Sequence, residues 1–469
     1  MPVFVPPVRR GKIIMHLNKL AFGLALGGWA CLLAPSVLAE SLLELHELAV
    51  DSDPQFQADF HGKQATDERY YQARSALLPQ INVNVERSEI SQDIVSTDNE
   101  VYGSGSTSYP TTVYGVSLEQ SIYDYSRWAA FGQAKLEIQQ AASELEVSRQ
   151  DLYLRVAERY FAVLALSENL SFLQAEKKQV QTNLEQVRAR FEDGLIREID
   201  LLDAQARFLQ VEARELDVAN RLRDALNALA EVSGVRPVEL SLVDEDLTLA
   251  SPEPSSVEAW IELAMQRNPR LSAARLAVEV ANQQVKVSRG GHYPTLDLSL
   301  DYDNDETEGS LFGGGSEVET QTIRVGLDVP VYSGGRVSSE VREGTRLIEA
   351  GQARLEQVRR ELDREIRAAF EGIVTAMSRV RALSESLSAN QRIVEYRQVA
   401  YESGVMPVLE LLDAERDLFF ARSELASARY DYLISVLRLK HAAGVINGED
   451  LAEIDAHMND RMDLLAFQH

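Results

Sequence analysis

Four stretches of the chain alternate apolar and polar residues with the two-residue period of a strand that buries one face. Ile81, Val83 and Val85 alternate with Asn82, Asn84 and Glu86, and Leu296, Leu298 and Leu300 with Asp297, Ser299 and Asp301. Ile323, Val325, Leu327, Val329 and Val331 alternate with Arg324, Gly326, Asp328 and Pro330, while Tyr114, Val116, Leu118 and Ile122 mark a looser fourth strand. The spacing predicts strand pairs over 81–123 and 295–332, each with one apolar and one polar face. Tyr109, Tyr114, Tyr123, Tyr293, Tyr302 and Tyr332 lie toward strand ends, where amphipathic rings suit a membrane interface. An ordinary half-buried antiparallel sheet alternates in the same way.

The remaining periodicity is heptad. Val163, Leu166, Leu170, Leu173, Lys177, Val180, Leu184, Val187 and Phe191 step by three and four, as coiled-coil packing requires. Val380, Leu383, Leu387, Asn390, Val394, Arg397 and Tyr401 repeat the register with more polar interruptions. No proline interrupts 127–191 or 336–401, so each is expected to be one helix, roughly 95 Å long at 1.5 Å per residue. Shorter helices are expected over 199–231 and 407–442.

These elements occur twice. Asp53-Pro54 recurs as Asn268-Pro269 and Leu78-Pro79-Gln80-Ile81 as Tyr293-Pro294-Thr295-Leu296. Gly194 followed by Leu201-Leu202-Asp203-Ala204 recurs as Gly404 followed by Leu411-Leu412-Asp413-Ala414, and Ser233-Gly234-Val235 as Ala443-Gly444-Val445. The near-constant offset of about 210 residues marks an internal duplication. It divides the chain into a first repeat over 40–234, a linker over 235–255, a second repeat over 256–444 and a C-terminal segment over 445–469. Each repeat reads as helix, strand pair, long helix, turn, helix.

Arg9, Arg10, Lys12 and Lys19 precede an apolar run from Leu20 to Leu33, and Ser36-Val37-Leu38-Ala39 supplies small residues for cleavage. Residues 1–39 therefore read as a secretory signal peptide cleaved near Ala39, with Met1 or Met15 as its start. The lone Cys31 leaves with it, unless cleavage before Cys31 made a lipid anchor, for which Gly28-Trp29-Ala30 is a poor lipobox. Beyond this segment no stretch reaches the roughly 18 apolar residues of a membrane helix. Any membrane span must then be made of strands.

Charge narrows the partners. Seventy-three acids against 47 bases give a net charge of −26, which excludes a phosphate-gripping nucleic-acid binder, and loss of four bases with the signal takes it to −30. One cysteine excludes disulfide, iron–sulfur and cysteine-rich zinc sites. His46, His61, His292, His441, His457 and His469 are scattered, Gly313-Gly314-Gly315 lacks the Lys of a phosphate loop, and no Gly-x-Ser-x-Gly elbow occurs. No enzyme and no cofactor are expected.

Four strands cannot close a barrel, and an open edge in hydrocarbon leaves backbone groups unsatisfied at several kcal/mol each. Partner chains must supply closure. Two copies give eight strands and a filled interior, three give twelve and a channel, and the polar faces favour three. Asp297, Asp301 and Asp328 would then be acids of the barrel lumen. A different reading of the heptads, a periplasmic coiled-coil scaffold or adaptor without a membrane barrel, needs no strand pairs.

The duplicated Gly-x6-Leu-Leu-Asp-Ala turn, the Pro-initiated strands and the run from Ser423 to Ile434 resemble the TolC-like family of trimeric outer-membrane efflux and type I secretion channel proteins. The resemblance covers essentially the whole mature chain. It implies a mainly α-helical membrane protein: a homotrimeric twelve-stranded outer-membrane β-barrel, four strands per chain, continuous with a long periplasmic α-helical barrel and an equatorial belt. It also implies export from an inner-membrane pump or ABC transporter through a periplasmic adaptor, with opening by an iris-like movement of helices. Glu410 and Asp413 match the family's acidic entrance positions, expected to select cations, and Asp200 and Tyr401 match positions that latch the closed entrance. Gly194-Leu195 and Gly404-Val405 would be adaptor-docking tips. Met406 stands where the family pattern has an arginine and Ile199 where it has a hydroxyl residue, so the closed state would be held by fewer polar links, or by Arg197 acting from another position.

Overall fold

The computed structural model describes residues 41–96, 105–244, 249–310, 314–403 and 405–464. The expected signal segment, Cys31 included, lies outside the described residues. The first half runs α1 (Leu42–Ser52), α2 (Pro54–Ser75), β1 (Gln80–Ile94), β2 (Gly105–Tyr123), α3 (Tyr125–Glu192) and α4 (Glu198–Ser233), followed by β3 (Glu239–Val243). The second runs α5 (Val257–Arg267), α6 (Pro269–Gly290), β4 (Thr295–Thr307), β5 (Ser316–Asp328), α7 (Arg336–Glu402) and α8 (Val408–Ala443), followed by α9 (Gly448–Asp455) and β6 (Met458–Asp463). No helix among the described residues is long and apolar enough to cross a membrane.

The single helix expected at the head of each half is two helices, and the repeated Asp/Asn-Pro dipeptide is the reason. Asp53 caps α2 by accepting from the Phe56 amide at 2.9 Å, and Pro54 occupies the first helical position. Asn268 caps α6 in the same way through the amides of Arg270 and Leu271, with Pro269 first in the helix. Proline fits there because that position has no intrahelical partner for an N–H.

β1, β2, β4 and β5 form one antiparallel sheet in that order. Its register sets Ile81 opposite Leu118, Leu118 opposite Leu300 and Leu300 opposite Ile323, so the apolar positions of all four strands share a face. Ile323 on that face is 76% exposed in the single chain. Asp297 faces Gly326, Asp301 faces Thr322 and Asp328 faces Thr295, which puts the three acids together on the other face, with Arg324 3.9 Å from Asp301. The sequence pattern overran the last strand: alternation continues to Val331, but pairing stops at Asp328, before Pro330, which has no N–H to donate.

β3 and β6 were not expected. They pair antiparallel, Glu239 against Asp463 and Leu240 against Met462, and join the linker after the first half to the C-terminal segment. Beside them lies the core. Leu152, Tyr160, Phe161 and Leu164 of α3, Leu222, Leu226 and Leu229 of α4, Leu437 of α8 and Leu240 of β3 belong to one buried apolar cluster. The Phe161 ring stacks on Tyr430 at 5.7 Å, and the Tyr160 hydroxyl donates to the Ser241 carbonyl at 2.9 Å.

The helices extend from the sheet side by side. Nearest the sheet the row is α2, α3, α6, α7; farther away it is α4, α3, α8, α7. Each α3–α4 and α7–α8 pair is a hairpin whose turn lies at the far end. α3 carries its heptad positions Val163, Leu170, Leu173 and Val187 buried. Lys177, also in that register, is tolerated because its ammonium reaches Glu215 at 2.7 Å and Glu212 at 3.3 Å on α4.

Candidate functional site

The two hairpin tips and the first turns beyond them hold most of the residues singled out from the sequence. α3 ends in a left-handed residue, Gly194 at φ +72°, with the Leu195 amide bonded back to the Arg190 carbonyl and the Gly194 amide to the Phe191 carbonyl. This is the Schellman turn, and the positive φ is what calls for glycine. At the second tip the Val405 amide bonds back to the Ala400 carbonyl in the equivalent way, while Gly404 itself lies outside the described residues. Leu195 and Val405 are both exposed.

α4 starts at Glu198, and Asp200 in its first turn accepts from the Arg197 amide and from its guanidinium at 3.1 Å. The hydrogen bonds from Arg197 hold the Asp200 carboxyl below the usual range. α8 starts after Pro407, which cannot continue α7 but suits a helix entrance. Three residues apart on α8, Glu410 and Asp413 share one side of the helix.

Within one protomer the singled-out residues have different partners. The Arg190 guanidinium donates to the Tyr401 hydroxyl at 3.2 Å. Asp200 pairs with Arg197 on its own turn, at 3.1 Å. The two entrance acids also differ. Glu410 is exposed, and among the described residues no cation pairs with its carboxylate; Arg397 donates instead to its backbone carbonyl. Asp413 lies 3.0 Å from Arg207 of α4 and 3.4 Å from Arg416 of its own helix.

A further polar link joins the hairpins one turn on. Gln179 of α3 donates to one oxygen of Glu415 on α8 at 3.3 Å, and the other oxygen is buried without a hydrogen-bond partner. Burial pushes the Glu415 carboxyl above its ordinary value, against the smaller effect of the Gln179 bond. Arg190, Arg207, Gln179 and Glu415 were not singled out in the sequence. Arg190 and Arg207 read there as ordinary members of charged helix faces, and only the arrangement of hairpins reveals their partners.

An apolar strand face left uncovered among the described residues, a long helical stem and charged hairpin tips define a β-barrel membrane channel with an extended helical duct. The family model described as outer membrane efflux protein matches residues 45–235 and 260–445, once in each half. The chain is 33% identical over 426 residues to the outer membrane protein TolC of Vibrio cholerae serotype O1, covering 90% of this chain and 95% of that protein. It is 28% identical to the alkaline protease secretion protein AprF of Pseudomonas aeruginosa, over 92% of this chain and 90% of that one. Among solved structures, the Campylobacter jejuni CmeC outer membrane channel superimposes with a TM-score of 0.74 at 16% identity, over 89% of this chain and 90% of that one. The chain belongs to the outer membrane efflux protein family. It is an outer-membrane channel protein, and the barrel-free scaffold reading is set aside.

Proposed function

We propose that three copies of this chain close into one tube, a twelve-stranded barrel in the outer membrane leading into a helical duct in the periplasm. The observation that carries this reading is that sheet and stem both end open. β1 and β5 each have one unpaired edge, while α4 and α7 stand at the two ends of the helix row. α4 exposes Ile199, Leu202, Ala206, Leu209, Ala213 and Leu216, a three-four stripe left uncovered by the described residues of the protomer. α7 exposes Ala382, Ser386, Ala389, Ile393 and Tyr396 at the same spacing. The two stripes cover one another when α4 meets α7 of the next copy, and the same rotation sets β5 beside the next β1.

The tube exports substrates delivered by an inner-membrane pump through a periplasmic adaptor. Protein secretion is supported by the resemblance to AprF, and efflux of small toxic compounds by the family description. The tips at Gly194-Leu195 and Gly404-Val405 offer the adaptor apolar side chains on a tight turn. At the same end Glu410 and Asp413, repeated three times, form a ring of carboxylates that repels anions and concentrates cations, multivalent ones most strongly. Asp297, Asp301 and Asp328 line the barrel lumen. The closed entrance is latched through Tyr401, with Asp200 bracing the start of α4, and opens by an iris-like displacement of the hairpins.

Cross-linking of outer-membrane extracts tests the assembly: trimers with heat-modifiable migration are expected, and a soluble monomer would refute it. Conductance in planar bilayers tests the ring. Glu410→Ala with Asp413→Ala should reduce cation selectivity and weaken multivalent block, and unchanged values of both would remove the ring from the account.

A further inference from the structure

Asp413 and Glu410 are neighbours on one helix, yet the protein treats their charges differently. Glu410 has no cationic partner among the described residues, whereas Asp413 has two. Those two are not equivalent. Arg416 sits closer to Asp417, at 2.8 Å, than to Asp413, at 3.4 Å, so its charge is shared between two acids. The only ion pair of Arg207 among the described residues is with Asp413.

The pair also spans the joint between hairpins. In the row α4, α3, α8, α7, Arg207 on α4 belongs to one hairpin and Asp413 on α8 to the other, with α3 between them. The guanidinium therefore reaches past α3 to close the contact. Any sliding of the second hairpin against the first lengthens this contact before it disturbs the pairing of α7 with α8 inside its own hairpin.

Resting on the trimeric entrance proposed above, we propose that Arg207 is the positioning residue that couples closure of the entrance to its charge. While the hairpins are closed, Arg207 neutralises Asp413 and leaves Glu410 to set the selectivity. When the hairpins part, the pair breaks and a second carboxylate per protomer is bared to the passage. The open entrance is then more attractive to cations than the closed one.

The test is planar-bilayer recording on the full mature protein, with reversal potentials in a salt gradient and block by a trivalent lanthanide ion. For a partly exposed pair, Arg207→Ala should raise the resting open fraction roughly twofold to fivefold. It should also shift the reversal potential toward greater cation selectivity and tighten lanthanide block. Asp413→Asn removes the same tie without baring a charge, so the open fraction should rise while selectivity does not increase. Arg207→Lys should restore both readouts toward the unaltered protein, which a general loss of packing would not allow. If Glu410→Ala alters selectivity and block while Arg207→Ala changes neither, the role given to Arg207 is wrong and the entrance reading stands. If neither substitution has an effect, or no trimeric channel forms, the entrance reading fails and the role of Arg207 falls with it.

Discussion

Arg190 and Tyr401 meet at the ends of the two longest helices, the guanidinium donating to the phenol oxygen at 3.2 Å and lying 6.0 Å from the ring centroid. Each residue stands at the last turn of its helix, and the contact fixes one hairpin tip against the other. A hydrogen bond from a charged donor at an exposed site contributes about 1 kcal/mol. Tyr401→Phe keeps the ring and removes the oxygen, so the resting open fraction in bilayers should rise about fivefold or less. Arg190→Gln should do the same, and the double substitution should add little to either. Additive effects would show that the two act separately.

The apolar sheet face makes a different prediction. Ile323 lies on the face shared with Ile81, Leu118 and Leu300. Arg at a lipid-facing position near mid-membrane costs about 2–4 kcal/mol. Ile323→Arg should lower the amount of heat-modifiable trimer in outer-membrane fractions, whereas Thr322→Arg, on the opposite face, should leave it close to normal. Equal losses from both would contradict the assignment of faces.

The core near the β3–β6 ribbon should be the most sensitive part of the stem. Phe161 is 1% exposed and stacked on Tyr430. Phe161→Ala should cost about 3–5 kcal/mol, from lost burial and the cavity left behind. Thermal or denaturant unfolding of the purified protein measures this. The exposed Phe420 of α8 provides the contrast, since Phe420→Ala removes no buried contact within the protomer.

His46 gives the fold a pH dependence. Its ring is buried, stacked on Tyr153 at 4.0 Å, and its Nε2 finds no hydrogen-bond partner among the described residues. Burial first and Arg149 second lower its pKa from 6.5 to about 4. The unfolded chain therefore takes up this proton at a higher pH than the folded protein. The contribution to stability is complete above pH 6.5 and is lost as pH falls toward about 4, by about 3 kcal/mol in all. Denaturant midpoints between these limits should fall less steeply for His46→Phe than for the unaltered protein. Parallel slopes would assign the pH dependence to other groups.

Much of this architecture can be read along the chain because its signals are local. A two-residue period can satisfy only a strand with one buried face, and an unbroken three-four period only a long packed helix. Asp53-Pro54 and Asn268-Pro269 carry a local signal as well, a cap and a first-turn proline that start a helix, although the single helix expected at the head of each half passed over it. The duplication, the strand faces carrying Asp297, Asp301 and Asp328, and the heptads ending at Phe191 and Tyr401 all belong to this level. The net charge of −26 excluded partners but could not say which acids stand uncompensated.

Tertiary structure decided what depends on separate segments meeting. β3 and β6 carry too few residues for their period to stand out, and they become strands only because folding brings the end of the chain to the linker. Arg190 and Arg207 look interchangeable with other helical arginines until the hairpins align them with Tyr401 and Asp413. Glu410 and Asp413, alike in sequence, diverge for the same reason. How far a carboxylate's charge is compensated depends on the distance to its nearest cation, and that distance is fixed by how helices pack across hundreds of residues rather than by the spacing between neighbours.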